Sequence, residues 1–240
     1  MKKVNFFQAS MIALCGAALT LTSCGGSCPA GQGGDSTAVK TTEMKKAPYQ
    51  KKYTNADFYD AQGNFKQDVA KAAFLDMFEH YDVPFTPFME ENTWFTDFGL
   101  GDFENTGMGG IFWVNDSTNG YFAHAIYLLP GQMIPEHKHV KTTFPAKMES
   151  WMVEKGWCYN FSEVGEPTDG AEALIPASQK ATTVSKHYVV QKPGEIVHLS
   201  AAGPETWHCL IAGPEGAIVS EWANYHDGAG LRFTNTKAAL

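Results

Sequence analysis

Pro130-Gly131-Gln132-Met133-Ile134-Pro135-Glu136-His137-Lys138-His139 decides how this chain is read. The Pro-Gly pair opens a turn, and the stretch ends on two histidines in i, i+2 spacing. On a strand that spacing puts both imidazoles on one face, so both can reach one centre. Working outward, short runs rich in aromatic and branched residues flank it: Ile111–Asn115, Tyr121–Leu129, Glu149–Phe161, Lys186–Gln191, Ile196–Leu199, Cys209–Ala212 and Ala217–Trp222. Gly-Pro, Pro-Gly and Asn-Asp signals divide them, and no helical period appears among them. Many short strands with few helices predict an all-β fold, a sandwich or a jelly-roll barrel.

Upstream the texture differs. Asn64 to Tyr81 reads as a helix, with Val69, Ala72, Ala73, Met77 and Phe78 at spacings of three and four, and Pro84 and Pro87 stop it. Residues 97–103 form a glycine-punctuated turn region. Residues 24–52 hold little that can be buried and read as a flexible tether, so the folded domain is expected over 53–240. Residues 1–23 carry Lys2 and Lys3, then a mostly apolar run, then Leu21-Thr22-Ser23 before Cys24. That order is an export signal, and its end resembles a bacterial lipoprotein lipobox, with Cys24 as the lipidated residue. The expected location is the bacterial cell envelope, lipid-anchored on the periplasmic or cell-surface side.

Composition narrows the class. The chain has 240 residues with 18 basic against 26 acidic, a formal charge of −8, and losing the signal removes two lysines and no acid, giving −10. An acidic surface of this kind excludes a nucleic-acid partner, which needs a dense basic face. Hydrophobic residues make up 44% and aromatics 13%, enough for a core, so wholesale disorder is excluded. Of the five cysteines, Cys15 leaves with the signal and Cys24 is the anchor, while Cys28, Cys158 and Cys209 remain. Whether Cys158 pairs with Cys209 is left open by the sequence.

Beyond His137 and His139 come Glu149, Gly156, Gly194, Gly203 and His208. Their order resembles the two motifs of the cupins, whose jelly roll holds a divalent metal on three histidines and one glutamate. The set His137, His139, Glu149 and His208 suits a borderline first-row cation, and the absence of thiolate argues against structural zinc. Common cupins place the glutamate four or five residues after the second histidine; here it is ten, with an apparent insertion around Thr142–Pro145. His124 and His198 lie in strand-like runs and could face the barrel, though they read first as structural histidines; His187 and His226 are undecided, and Cys209 alternates to the strand face opposite His208.

The resemblance extends to the D-lyxose isomerase family of cupins. It is carried by Thr96-Asp97-Phe98-Gly99-Leu100-Gly101-Asp102-Phe103-Glu104, by Lys147-Met148-Glu149, by Gly203-Pro204-Glu205-Thr206-Trp207-His208 and by Ser220-Glu221-Trp222-Ala223-Asn224. It implies a cupin jelly-roll barrel with an N-terminal helical segment and a manganese-type metal, with Zn2+, Fe2+ or Co2+ as alternatives. It also implies an aldose–ketose isomerase acting on D-lyxose/D-xylulose or D-mannose/D-fructose, and a homodimer. By the same resemblance, Lys147 and Glu221 are the catalytic pair, and Asp227 and Arg232 belong to the substrate-binding tail. A metal beside Lys147 would lower its pKa. Trp113, with Phe112, Trp151 and Trp207, could form a wall for sugar stacking. A cell-envelope sugar-binding cupin without turnover and a metal-dependent cupin oxygenase are the alternatives.

Overall fold

The computed structural model describes residues 46–199 and 203–240. The expected signal (1–23), the lipidation site Cys24, the tether up to residue 45, and Cys15 and Cys28 lie outside the described residues.

Three helices lead the described chain: α1 (Asn55–Phe58), α2 (Gln67–His80) and α3 (Pro87–Asn92). Strands β1 (Trp94–Thr96), β2 (Met108–Asp116), β3 (Tyr121–Leu128), β4 (His137–His139) and β5 (Glu149–Ser162) follow. After the short α4 (Ala171–Leu174) come β6 (His187–Gln191), β7 (Ile196–His198), β8 (His208–Ala223) and β9 (Leu231–Phe233). All nine strands join one antiparallel sheet, ordered β1-β2-β3-β8-β4-β9, and β5 pairs with β8, β6 and β7. The sheet curls into the expected barrel, with the helical segment on its outside.

Alternation along the strands sorts the core into layers. Ile126 and Leu128 of β3, Val153 of β5, and Leu210 and Val219 of β8 pack inside the curl. Their strand neighbours Ala125, Tyr127 and Ile218 face outward and receive the helices. Helix α2 docks there through Ala70, Ala73, Phe74, Met77 and Phe78. The stripe is thus rotated from the expected one: Val69 is only partly buried and Ala72 is exposed. The rings of Phe74 and Phe78 bring far more apolar area than an alanine, so they set the buried face. The helix also starts at Gln67 rather than Asn64, because the backbone N–H and side-chain amide of Asn64 both donate to the Asp60 carboxylate at 2.8 Å, holding it in a turn. Phe74 stacks on Phe95 and meets Phe103 and Tyr127. Phe74→Ala is expected to cost about 3–5 kcal/mol, read as a lower urea midpoint with unchanged slope.

Packing begins ahead of Tyr53, where the tether was expected to end. Tyr49 is buried, and its hydroxyl donates to Asp76 at 2.7 Å. The two runs Cys209–Ala212 and Ala217–Trp222 are one strand, β8, not two. The Gly-Pro signal between them does not break it because β5 bends alongside, with register shifts at Val153/Lys155 and Gly156/Cys158. Gly156 and Gly216 both have positive φ, and a Cβ on Gly156 would lie 2.0 Å from the Gly216 carbonyl oxygen. Only glycine lets the two backbones meet there. Cys158 and Cys209 are buried free thiols and do not pair; they belong to different core clusters.

Candidate metal centre and its pocket

Among the described residues, one group of side chains could hold a metal: His137, His139, Glu149 and His208, whose ligand atoms all lie within 4.8 Å of one another. Strand β4 supplies the first two, and Glu149 and His208 are the first residues of β5 and β8. His137 sits opposite His208 in the β4–β8 register, which brings residues 71 positions apart together. Backbone carbonyls orient two of the rings. His137 Nδ1 is 2.9 Å from the Pro135 oxygen and His208 Nδ1 is 2.9 Å from the Thr206 oxygen. A carbonyl only accepts, so each Nδ1 carries the proton and each Nε2 presents its lone pair to the centre. His208 Nε2 and His139 Nε2 approach Glu149 Oε1 at 2.8 and 3.3 Å.

Two imidazoles with free lone pairs, a third beside them and one carboxylate suit a divalent cation. The electrostatics agree. Burial pushes the His137 pKa down, and its neighbours His208 and His139 push it further, well below the usual value. Burial alone would raise Glu149, but Lys147 and His139 outweigh it and hold the carboxyl well below the carboxylate range. A neutral His137 imidazole and an ionised Glu149 carboxylate are the forms that bind metal.

Lys147, just before β5, is buried against both acids. Its Nζ lies 2.6 Å from Glu149 Oε2 and is paired with Glu221 Oε1. It also stands over the Phe122 ring at 4.6 Å. Burial works against the ammonium, yet Glu149 and Glu221 more than offset it, so the protein's own groups hold Lys147 above its ordinary pKa. Glu221 is buried on β8 beside both Lys147 and His124, whose Nδ1 is 3.3 Å from Oε2.

The other expected site residues separate. Phe112 and Trp151 line the cavity, together with Phe122, His124, His226 and Trp94. Trp113 does not: it is 46% exposed and stacks on Phe88 of α3. Phe112 takes the inward place on β2, so its neighbour must point out. Trp207 lies against Lys138, away from the cavity. Arg232 is exposed and donates to the carbonyls of Ala229 and Leu231, because its β9 neighbours Leu231 and Phe233 take the inward positions.

Asp227 also stays out of the cavity lining and instead holds the insertion. Thr142 donates to its Oδ2 at 2.5 Å, the Phe144 ring packs on Tyr225, and the Met148 N–H donates to Asn224 Oδ1 at 2.5 Å. The longer spacing between His139 and Glu149 is therefore spent on a loop stapled to the segment after β8, directly ahead of Lys147.

Two histidines that the sequence leaves open line the cavity. His124 is buried there, and His226 stacks on Phe122 at 5.4 Å. The available signal for His124 is its i, i+2 position between Phe122 and Ile126 on one strand.

No protein-family profile matches the chain. The D-lyxose/D-mannose isomerase of Thermosediminibacter oceani is 36% identical over 157 residues, 65% of this chain and 83% of that protein. The D-lyxose ketol-isomerase of Cohnella laeviribosi is 33% identical over 156 residues, 65% of this chain and 82% of that protein. Among solved structures, ligand-free L-ribose isomerase of Cellulomonas parahominis superposes with a TM-score of 0.54 at 16% identity, covering 76% of this chain and 95% of that one. The L-ribose isomerase of Acinetobacter sp. DL28 in complex with L-ribose gives 0.53 at 17% identity, over 70% and 90%. These two likenesses show the fold, a cupin barrel.

Proposed function

The chain belongs to the D-lyxose isomerase family, and from that premise we propose that it is a metal-dependent aldose–ketose isomerase of small sugars. The substrates we propose are D-lyxose/D-xylulose or D-mannose/D-fructose. One observation carries the reading: a buried acid, Glu221, and a buried lysine, Lys147, share an ion pair beside the His3Glu cluster.

Isomerisation moves a carbonyl between C1 and C2, so a proton must leave one carbon and return to its neighbour. Glu221 accepts the C2 proton and returns it to C1 across a cis-enediol. Lys147, held as an ammonium by Glu149 and Glu221, donates to the carbonyl oxygen as negative charge develops there and recovers a proton from the neighbouring hydroxyl. The aromatic collar of Phe112, Phe122 and Trp94 keeps water from the carbon being deprotonated. His137, His139, Glu149 and His208 would hold the cation, for which we propose Mn2+; when bound it supplies Lewis-acid stabilisation of the two substrate oxygens.

The test is a screen of the Mn2+-loaded protein against aldoses, with the ketose resolved by chromatography. Xylulose from lyxose or fructose from mannose supports the reading; no ketose from any pentose or hexose with metal present sinks it.

For location we propose a lipid anchor at Cys24 on the bacterial cell envelope. The support is the basic, apolar, small order of residues 1–24. Several acyl chains on one residue anchor stably where one does not. Cys24→Ser in the full chain is expected to move the protein from the membrane fraction to the soluble one; unchanged membrane recovery would refute the anchor.

A further inference from the structure

His124 is the one buried histidine of the pocket outside the ligand cluster that touches the proposed base. It lies on β3 opposite Glu221 of β8, in direct register. Its ring is boxed by aromatics: Trp94 stacks on it at 5.6 Å, and the rings of Phe112 and Phe122 stand at 4.9 and 5.6 Å. Gly110 makes room for it, since a Cβ there would stand 2.5 Å from Nε2 and 2.9 Å from Trp94. An imidazole so enclosed has a single polar contact, Nδ1 to Glu221 Oε2 at 3.3 Å, and its Nε2 has none.

Hydrogen-bond logic assigns the tautomer. A carboxylate can only accept, so Nδ1 must carry the proton. The other neutral tautomer would aim a lone pair at a carboxylate oxygen and bury an N–H without an acceptor, the more costly way to leave a group unpaired. Lys147 meanwhile takes Oε1 of the same carboxylate. With each oxygen held by one donor, the plane of the carboxylate is fixed. Each oxygen keeps a further lone-pair direction for a substrate proton.

We propose that His124 is a positioning residue for the isomerisation: as a neutral imidazole it donates Nδ1–H to Glu221 Oε2 and fixes the rotamer of the base. The assignment of Glu221 as base rests on the isomerase reading; the hydrogen bond itself does not. The aromatic box is what makes the donor rigid, because the ring has no room to turn away.

Two measurements on the full chain test it, with diamagnetic Zn2+ in the site for spectroscopy and Mn2+ for kinetics. Nitrogen-15 NMR of the histidine rings reads the tautomer without any turnover, with His124→Phe identifying the signal; a neutral Nδ1–H ring is expected. In kinetics, His124→Phe fills the box but lacks the donor. Its kcat is expected to fall about 10- to 100-fold, as for other residues that orient a working group, with KM within about twofold and metal content unchanged. Asn places an amide N–H where Nδ1 stood, so His124→Asn is expected to recover most of that loss, which a purely structural role would not produce.

An Nε2–H or doubly protonated ring overturns the proposal. So does a His124→Phe enzyme with wild-type kcat, or His124→Asn no better than His124→Phe. If the wild-type protein turns over no aldose while the Nδ1–H tautomer is found, the isomerase reading fails and the hydrogen bond to Glu221 stands.

Discussion

Replacing Glu221 by glutamine is expected to lower kcat toward the upper end of the roughly 10²–10⁴-fold range that a positioned general base contributes. Glutamine keeps the size of the side chain and can still meet Lys147 through its carbonyl oxygen, but it cannot take a proton from carbon. Glu221 is no ligand of the cluster, so metal content should stay at one ion per chain. KM should move little, because the loss falls on the transition state and not on sugar binding. Stability should change modestly: Lys147 loses one of two acids but keeps Glu149 at 2.6 Å, so its charge is never left unpaired. That softens the penalty seen when a buried pair is broken outright, to about 1–3 kcal/mol. Steady-state kinetics with metal analysis of the same sample checks all of this. A Glu221→Gln enzyme with more than a tenth of wild-type kcat would move the base elsewhere.

His137→Ala is the second large effect, and it works through the cation. The four side chains come from three separate strands, and the His137 ring lies near both other imidazoles, 4.4 Å from His208 and 5.2 Å from His139 between centroids. Truncation leaves His139, Glu149 and His208, a tripod with an open side toward Phe233. Loss of an outer partner that merely orients a ligand costs about 10–100-fold in affinity. Loss of the ligand itself should exceed that, so metal retained after dialysis should fall to near zero, and activity with it. The fold should survive, since His137 is only partly buried and belongs to neither of the two large apolar clusters. Mass spectrometry of bound metal beside a circular dichroism spectrum separates these outcomes. A folded variant with full metal occupancy would mean that the cluster does not hold the ion.

Legibility followed the range of the interaction. Local order was readable: the strands, the leading helix and the His-x-His pair are set by periodicity within a few residues, and all appear in the structure. Glu149 and His208 carried weaker local signals, and it was the resemblance to the cupin motifs that put them with that pair, despite the longer spacing to Glu149. Which neighbour on a strand faces inward was not legible. Phe112 and Trp113 were both expected at the sugar, and Arg232 was expected there from the resemblance. In the fold the smaller or apolar member faces the cavity while Trp113 and Arg232 face out.

Strand parity is absolute only once one residue's side is known, and that side is set across the sheet. The β2–β3 bulge at Phe112/Val114 and the β5–β8 shifts around Gly156 decide it, through pairings between residues tens of positions apart. The same long-range register turns His124 from a core histidine into the partner of Glu221, 97 residues away. The residues by themselves determined an all-β class, because period-two alternation is local, and the resemblance to the cupin motifs named the four side chains that could hold a metal. Only the tertiary structure decided that His124 joins Lys147 and Glu221 in one pocket while Trp113, Asp227 and Arg232 stay out of its lining, because that depends on barrel closure, which no single strand encodes.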